Sequence, residues 1–551
     1  MMTSLGDRPP RYFNFALLAI TLVCLIPILS FATSQFVEYD GYMHVWIAQQ
    51  DRWANFLREY QSDAHPPLYY LLLRLTLALG RTQLVYRSLS LISGAGSIFV
   101  FGRTALRILR SPAWAALSTL AYGLALPTIL LANEVRAYML AAFLVQVSFY
   151  YFLDLIGEQQ PASVRSRVLF AVTASLACLN EYYAVFYIGG VLVLAFAIPI
   201  VRRSSLLKRD LLREAMTFAL ILALPVAEYL SHIGARTVAY DHLPAYYFQP
   251  DSGESAVGFL LRNLRNELNC FSPLPVPEGP VFYTVLAVLL AAAGVVIFLV
   301  RRSDRPKNLP ALVSLLLPLL MLFALMAGSL VRGYPFGGFL RQQFILFPFF
   351  IICVFLLPDR LLAGVPRTAA LAAVGIVGIG VIALSARSYQ AWPKDSRLLL
   401  SDQMGRYNRL FPAAQAVYID QFNVTTFFMH HHDWQWEFAG LIPGSTVDTY
   451  RLSKDNRSMM LFRDRDDWIL DLRDPRLYNL MARGMRNWHL SSMTIFDLAQ
   501  QPGKTRTEAQ VTAYLARIAE LSATEGLCVQ TLDLDNYDVY AEFRTSGLCR
   551  Q

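Results

Sequence analysis

Two carboxylic acids one residue apart, Glu38 and Asp40, stand just past an apolar stretch, Phe13 to Phe31, in a chain of 551 residues. Acids are costly beside hydrocarbon, so a pair kept at a membrane face points to a working site. A carboxylate placed there can take a proton from an incoming hydroxyl or amine. Further along stand His65-Pro66-Pro67-Leu68-Tyr69-Tyr70, Glu134-Val135-Arg136-Ala137-Tyr138 and Arg341, each at the edge of another apolar run. Guanidinium forks match phosphate oxygens better than a lysine point charge. They also neutralise a phosphate as it departs. These residue types suit group transfer away from a phosphate, with the proton leaving through Asp40 or Glu38.

Each side chain has a plainer role open to it. His65 can open a short helix whose first turn the two prolines favour. Glu134 and Arg136 can pair at a helix end, and Arg341 can mark a membrane edge. Glu181-Tyr182-Tyr183 reads as interfacial anchoring, because tyrosine is enriched at membrane boundaries. His430-His431-His432-Asp433 reads as a surface polar cluster, since consecutive residues on a helix or strand cannot all face one ion. A divalent ion between Asp40, Glu38 or Glu134 and a phosphate is chemically reasonable. The sequence commits to no cofactor.

The elements that must position these groups are mostly membrane helices. The chain is 55% hydrophobic and only 16% charged, too apolar for an ordinary soluble protein. About eleven spans are expected, near 12–33, 84–102, 113–132, 138–155, 167–181, 184–201, 211–231, 281–300, 309–330, 342–358 and 368–386. The first lacks a small-residue cleavage site and reads as a retained anchor. Alternate loops carry Arg103/Arg107/Arg110, Arg202/Arg203/Lys208/Arg209/Arg213 and Arg301/Arg302/Arg305/Lys307, with Arg8 and Arg11 before the first span. By the positive-inside rule these face the cytoplasm. The net charge of +8 is therefore topology, and nucleic-acid binding is not expected. The opposite loops hold Glu38, Asp40, His65, Glu134, Arg136, Glu181, Tyr182, Arg332 and Arg341.

The run Leu68–Leu79 is too short to span and reads as a helix lying in the interface, within the first outer loop. The outer loop 232–280 is placed to cover the site. Past about residue 388 the hydropathy falls, so the expected division is a membrane module over 1–387 and an extracytoplasmic α/β or α+β domain over 388–551. Strands are expected at Ala416–Asp420 and Val539–Phe543, with an amphipathic helix at Glu508–Leu521. Of six cysteines, Cys528 and Cys549 are the two in the polar region, and a disulfide between them stays open.

Asp40-Gly41-Tyr42, His65-Pro66-Pro67-Leu68-Tyr69-Tyr70, Glu134-Val135-Arg136-Ala137-Tyr138 and Arg341-Gln342-Gln343-Phe344-Ile345-Leu346-Phe347-Pro348, in this order, resemble landmarks of the GT-C integral-membrane glycosyltransferases. The nearest likeness is to the protein O-mannosyltransferase and lipid A aminoarabinose transferase group, in a bacterial form, over roughly residues 12–390. The resemblance implies a multi-pass protein of the bacterial cytoplasmic membrane, with its active site and C-terminal domain outside. A sugar would pass from a polyprenyl-phosphate carrier to a lipid, glycan or protein acceptor, with inversion. Asp40 would be the catalytic base, with Glu38 a possible helper. His65, Tyr69, Glu134, Arg136, Tyr138 and Arg341 would bind substrate. Many relatives carry adjacent Asp-Glu in this loop, whereas here Tyr39 separates the two acids. The Trp-Trp-Asp tripeptide of oligosaccharyltransferases is absent, which argues against en bloc transfer to asparagine.

Two other classes remain open to the sequence. A transporter of lipid-linked sugars would show paired repeats and broken helices around a midplane site, and the sequence displays neither. A membrane scaffold working through its C-terminal domain would leave Asp40 and Arg136 without consequence.

Overall fold

The computed structural model describes residues 11–35, 37–63, 65–157, 163–201, 207–233, 247–249, 253–271, 309–331, 334–337, 340–391, 415–421, 423–466, 470–498, 508–535 and 538–545. The expected span 281–300, Arg8, Arg332, Cys549 and the basic residues at 202–203 and 301–307 lie outside them. Two compact units emerge. One comprises Met1–Val37, Glu59–Leu79 and Gln83–Lys394; the other comprises Glu38–Arg58, Gly80–Thr82 and Asp395–Gln551.

The first unit is helical. Among the described residues, Phe13–Ser34, Gln83–Ile108, Tyr138–Leu155, Leu212–His232, Leu309–Leu330, Arg341–Leu361 and Arg367–Gln390 are each long and apolar enough to cross a membrane. Pro112–Leu124 and Leu126–Asn133 are apolar enough together to make an eighth span or a re-entrant loop, and they meet at 52°. The sequence reading had this as one straight span, and no broken helix was expected. Pro127 explains the break, since proline lacks the N–H that would continue the ladder and clashes with the turn before it. Ala125 is accordingly extended (ψ 135°) ahead of the second helix. Val164–Asn180 and Ala184–Val201 are helices as well.

The apolar run after His65 forms Pro67–Leu77, 11 residues, about 16 Å long and well short of the roughly 30 Å hydrocarbon core. Tyr69, Tyr70 and Leu73 are buried while Leu75 and Leu79 stay exposed. The re-entry of the first loop is tied down close by. Tyr60 on the helix Trp53–Ser62 donates to Glu228, which also accepts from Tyr182 at 2.9 and 3.0 Å.

The second unit is built on a mixed seven-stranded sheet: β1 (Ala416–Ile419), β2 (Gln435–Leu441), β3 (Val447–Lys454), β4 (Arg457–Asp464), β5 (Ser492–Leu498), β6 (Leu527–Asp535) and β7 (Asp538–Thr545). Their order is β2-β3-β4-β1-β5-β7-β6, with β1 parallel to β4 and β5 and the remaining pairs antiparallel. The helix Pro475–Asn487 buries Leu477, Tyr478, Met481 and Met485 in the same core as Phe462, Met493 and Phe543. The helix Glu508–Thr524 adds Ile518 and Leu521 to it. The expected strands and amphipathic helix are all present. Cys528 is disulfide-bonded, while Cys24, Cys178, Cys270 and Cys353 are free thiols.

Candidate active site

Proline chemistry sets the first element. Pro66 is extended (φ −65°, ψ 163°) and Pro67 begins the helix, so the chain turns sharply and His65 is held at the corner. Its Nδ1 donates to Glu181 Oε2 at 2.7 Å. Glu181 follows the last turn of Val164–Asn180, in extended backbone, and is only 5% exposed. Burial alone lowers the pKa of His65. Glu181 outweighs it, with help from Asp63 and against Arg136, so the net direction is upward.

Arg136 lies in the short link between Asn133 and Tyr138. Its Nη1 donates to the Tyr138 hydroxyl at 3.0 Å, and its guanidinium lies 5.7 Å from that ring's centre. Tyr138 stacks on Tyr183 (6.2 Å between centroids, 16°) and takes the edge of the His65 ring at 5.8 Å. It lies within electrostatic reach of Glu134, Glu181, Arg136 and Arg341. Tyr334 interacts in turn with Glu181, Tyr183 and Tyr138. Segments far apart in sequence thus bring His65, Glu134, Arg136, Tyr138 and Arg341 together in the membrane unit.

Tyr69 packs elsewhere, on Gln83–Ile108, with its hydroxyl 3.4 Å from Ser90 Oγ. Asp40 and Glu38 belong to the other unit. There Glu38 stands at the N-cap position of the helix Tyr39–Ala48 without a side-chain capping bond, and Asp40 lies in its first turn, where the helix dipole favours negative charge. The His44 Nδ1 lies 2.8 Å from the Asp40 carbonyl, which ties the ring to its own helix.

Sequence reasoning missed the partners. Glu181 and Tyr183 are not membrane anchors: Glu181 holds His65, and Tyr183 is a buried stacking platform. The faint signal was a carboxylate directly after a helix that needs no acid at its C-terminal end. The three histidines are not a surface cluster. His431 is buried with its ring stacked on Phe427 at 4.3 Å, and burial pushes His430 and His431 down to about 3 and about 4. Both are neutral packing residues at physiological pH.

Two expectations follow. A raised folded pKa at His65 means its ion pair with Glu181 contributes full stability below the unfolded value. That contribution fades as pH rises through the folded pKa. Melting temperature in detergent should therefore fall from pH 6 towards alkaline pH, and Glu181→Gln should flatten the dependence at a cost of about 1.5–3 kcal/mol. The second concerns the helix Ala256–Cys270, which packs on the turn Leu340–Gln343 that carries Arg341. Gly337 (φ +77°) seats its Cα against Asn263, where a Cβ would come within 2.5 Å of a backbone oxygen. Glu267 on the same helix is fully buried, and burial drives its pKa well upward. Glu267→Gln should leave the melting point within about 1 kcal/mol of wild type, while Glu267→Lys should abolish folded protein on size-exclusion chromatography.

No protein-family model matches this chain, and no curated protein does. Solved structures do. The crystal structure of ArnT from Cupriavidus metallidurans in the apo state matches with a TM-score of 0.55, covering 97% of this chain and 98% of that one at 13% identity. The chain has the GT-C fold. ArnT from the same organism bound to undecaprenyl phosphate matches with a TM-score of 0.52, over 95% of this chain and 97% of that one, again at 13% identity. At such identity the likeness is one of fold, and it extends through the C-terminal sheet domain, which the sequence-level resemblance did not reach.

Proposed function

We propose that this protein transfers a sugar from a polyprenyl-phosphate-linked donor to an extracytoplasmic acceptor, with inversion at the anomeric carbon. The acceptor oxygen or nitrogen attacks that carbon from the face opposite the phosphate. The bond from carbon to phosphate oxygen breaks, and the carrier departs as its phosphate. The acceptor's proton passes to Asp40, with Glu38 as neighbouring acid. Arg136 and Arg341 neutralise the phosphate, while His65, Glu134 and Tyr138 shape the donor site. The charges are effective because a water-poor pocket weakens them less than bulk solvent does.

The observation that carries this reading is the gathering of Arg136 and Arg341 about Tyr138, beside a His65 held by Glu181. Two guanidinium groups at apolar helix ends, with Glu134 and Glu181 close by, suit a lipid-linked phosphate. The fold shared with an ArnT that binds undecaprenyl phosphate supports the same donor class. The test is mass spectrometry of lipids that co-purify with the protein, followed by a turnover assay on the donor found. A glycoside formed as the carrier-linked sugar is consumed is the expected result. Redistribution of intact carrier across vesicles, with no glycoside, would make the protein a transporter.

A further inference from the structure

The first-loop segment leaves the membrane unit at Val37, returns to it at Glu59, and between these points belongs to the C-terminal unit. Aromatic packing accounts for this. Trp46 is 2% exposed, and its ring meets Trp436, Tyr450 and Phe428 at 5.0, 5.2 and 5.6 Å. Tyr42, one turn earlier, meets Phe428 at 6.3 Å and His432 at 5.6 Å. The Arg463 guanidinium lies 5.6 Å from the centre of the Trp46 ring.

The far end of the segment is held by charge. Arg58 Nη2 lies 3.1 Å from Asp448 Oδ2, a carboxylate fully buried on β3. Arg465 and Arg463 lie 3.3 and 3.9 Å from the same oxygen. Arg52 and Arg58 both sit over the Phe438 ring, at 5.5 and 5.7 Å. Tyr42 and Trp46 are four residues apart and share one helix face. Asp40, two residues before Tyr42, points about 200° away from it, and it is only partly buried where they are buried.

We propose that the C-terminal sheet domain is the positioning device for Asp40. It grips one face of the Tyr39–Ala48 helix through Trp46 and anchors the loop's far end through Arg58 and Asp448. The opposite face then presents the carboxylate in a single orientation. This role rests on the reading of Asp40 as base. Trp46, Arg58 and Asp448 are positioning residues and touch no substrate.

The experiment compares steady-state kinetics of the full-length protein in nanodiscs for Arg58→Met, Trp46→Ala, Trp46→Phe and Asp40→Asn, and for Arg58→Met combined with Asp40→Asn. Arg58→Met leaves Asp448 with Arg463 and Arg465, so the domain should still fold. A misplacement near 1 Å costs a catalytic group up to about 100-fold. The expected result is therefore a loss of about 10–100-fold in kcat for Arg58→Met and Trp46→Ala, with KM for the carrier-linked donor unchanged. Trp46→Phe should recover most of the rate, and Arg58→Met should cost nothing further in the Asp40→Asn background. Wild-type kcat in Arg58→Met beside an inactive Asp40→Asn overturns the positioning role alone. A loss that falls equally on donor KM, or that persists undiminished without Asp40, also overturns it. Full turnover by Asp40→Asn overturns the base assignment and the positioning role together.

Discussion

Asp40→Asn should lower turnover by about 10³-fold or more, while donor binding and melting temperature stay close to wild type. The amide keeps the size of the carboxylate and loses the ability to accept the acceptor's proton, a step that contributes about 10²–10⁴-fold in general base catalysis. Structural damage should be small. Asp40 is partly buried in the first turn of Tyr39–Ala48, and losing a charge at a helix N-terminus costs about 0.3–1 kcal/mol. Removing a negative charge also lessens direct repulsion of an anionic carrier. The effect should therefore appear in kcat with KM for donor unmoved. Asp40→Glu keeps the charge but shifts it by one methylene, and a loss near 10²-fold is expected. Near-normal rates for Asp40→Asn in purified, donor-saturated protein would remove the residue from the mechanism.

Arg136→Met and Arg341→Met should each reduce kcat/KM by about 10²–10³-fold, the size seen when one preorganised donor to a developing charge is lost. Unlike Asp40→Asn, they should also weaken binding of free polyprenyl phosphate, measurable by titration in detergent. Arg136→Lys should recover only part of the loss, since a point charge cannot reproduce the planar fork. It would also forfeit the 3.0 Å bond that braces Arg136 on Tyr138. Tyr138→Phe removes that brace alone and should fall between wild type and Arg136→Met. If both arginine variants bound the carrier phosphate as wild type does, the phosphate would have to be held elsewhere.

Much of the architecture was legible before any coordinates. Long apolar runs can only be helices in a bilayer, where every backbone polar group must be satisfied within its own segment. The short run after His65 showed itself too brief to cross. In the C-terminal sheet domain β1, β7 and the Glu508–Thr524 helix carried their own periodicities. The break at Pro127 was misread because proline is tolerated in membrane helices and does not always break one. Arg136, Tyr138, His65 and Arg341 were legible individually, because charges at apolar helix ends are few and costly.

What the chain determined alone was which residues lie at the ends of which helices, since that depends on composition along a line. It could not say that Glu181 would take up His65, that Tyr183 would stack beneath Tyr138, or that residues 38–58 would fold with a domain that begins near 395. Those pairings join segments from about 40 to nearly 400 positions apart. They arise from ring packing, ion pairing and burial, which no local pattern encodes, so only the folded chain decides them.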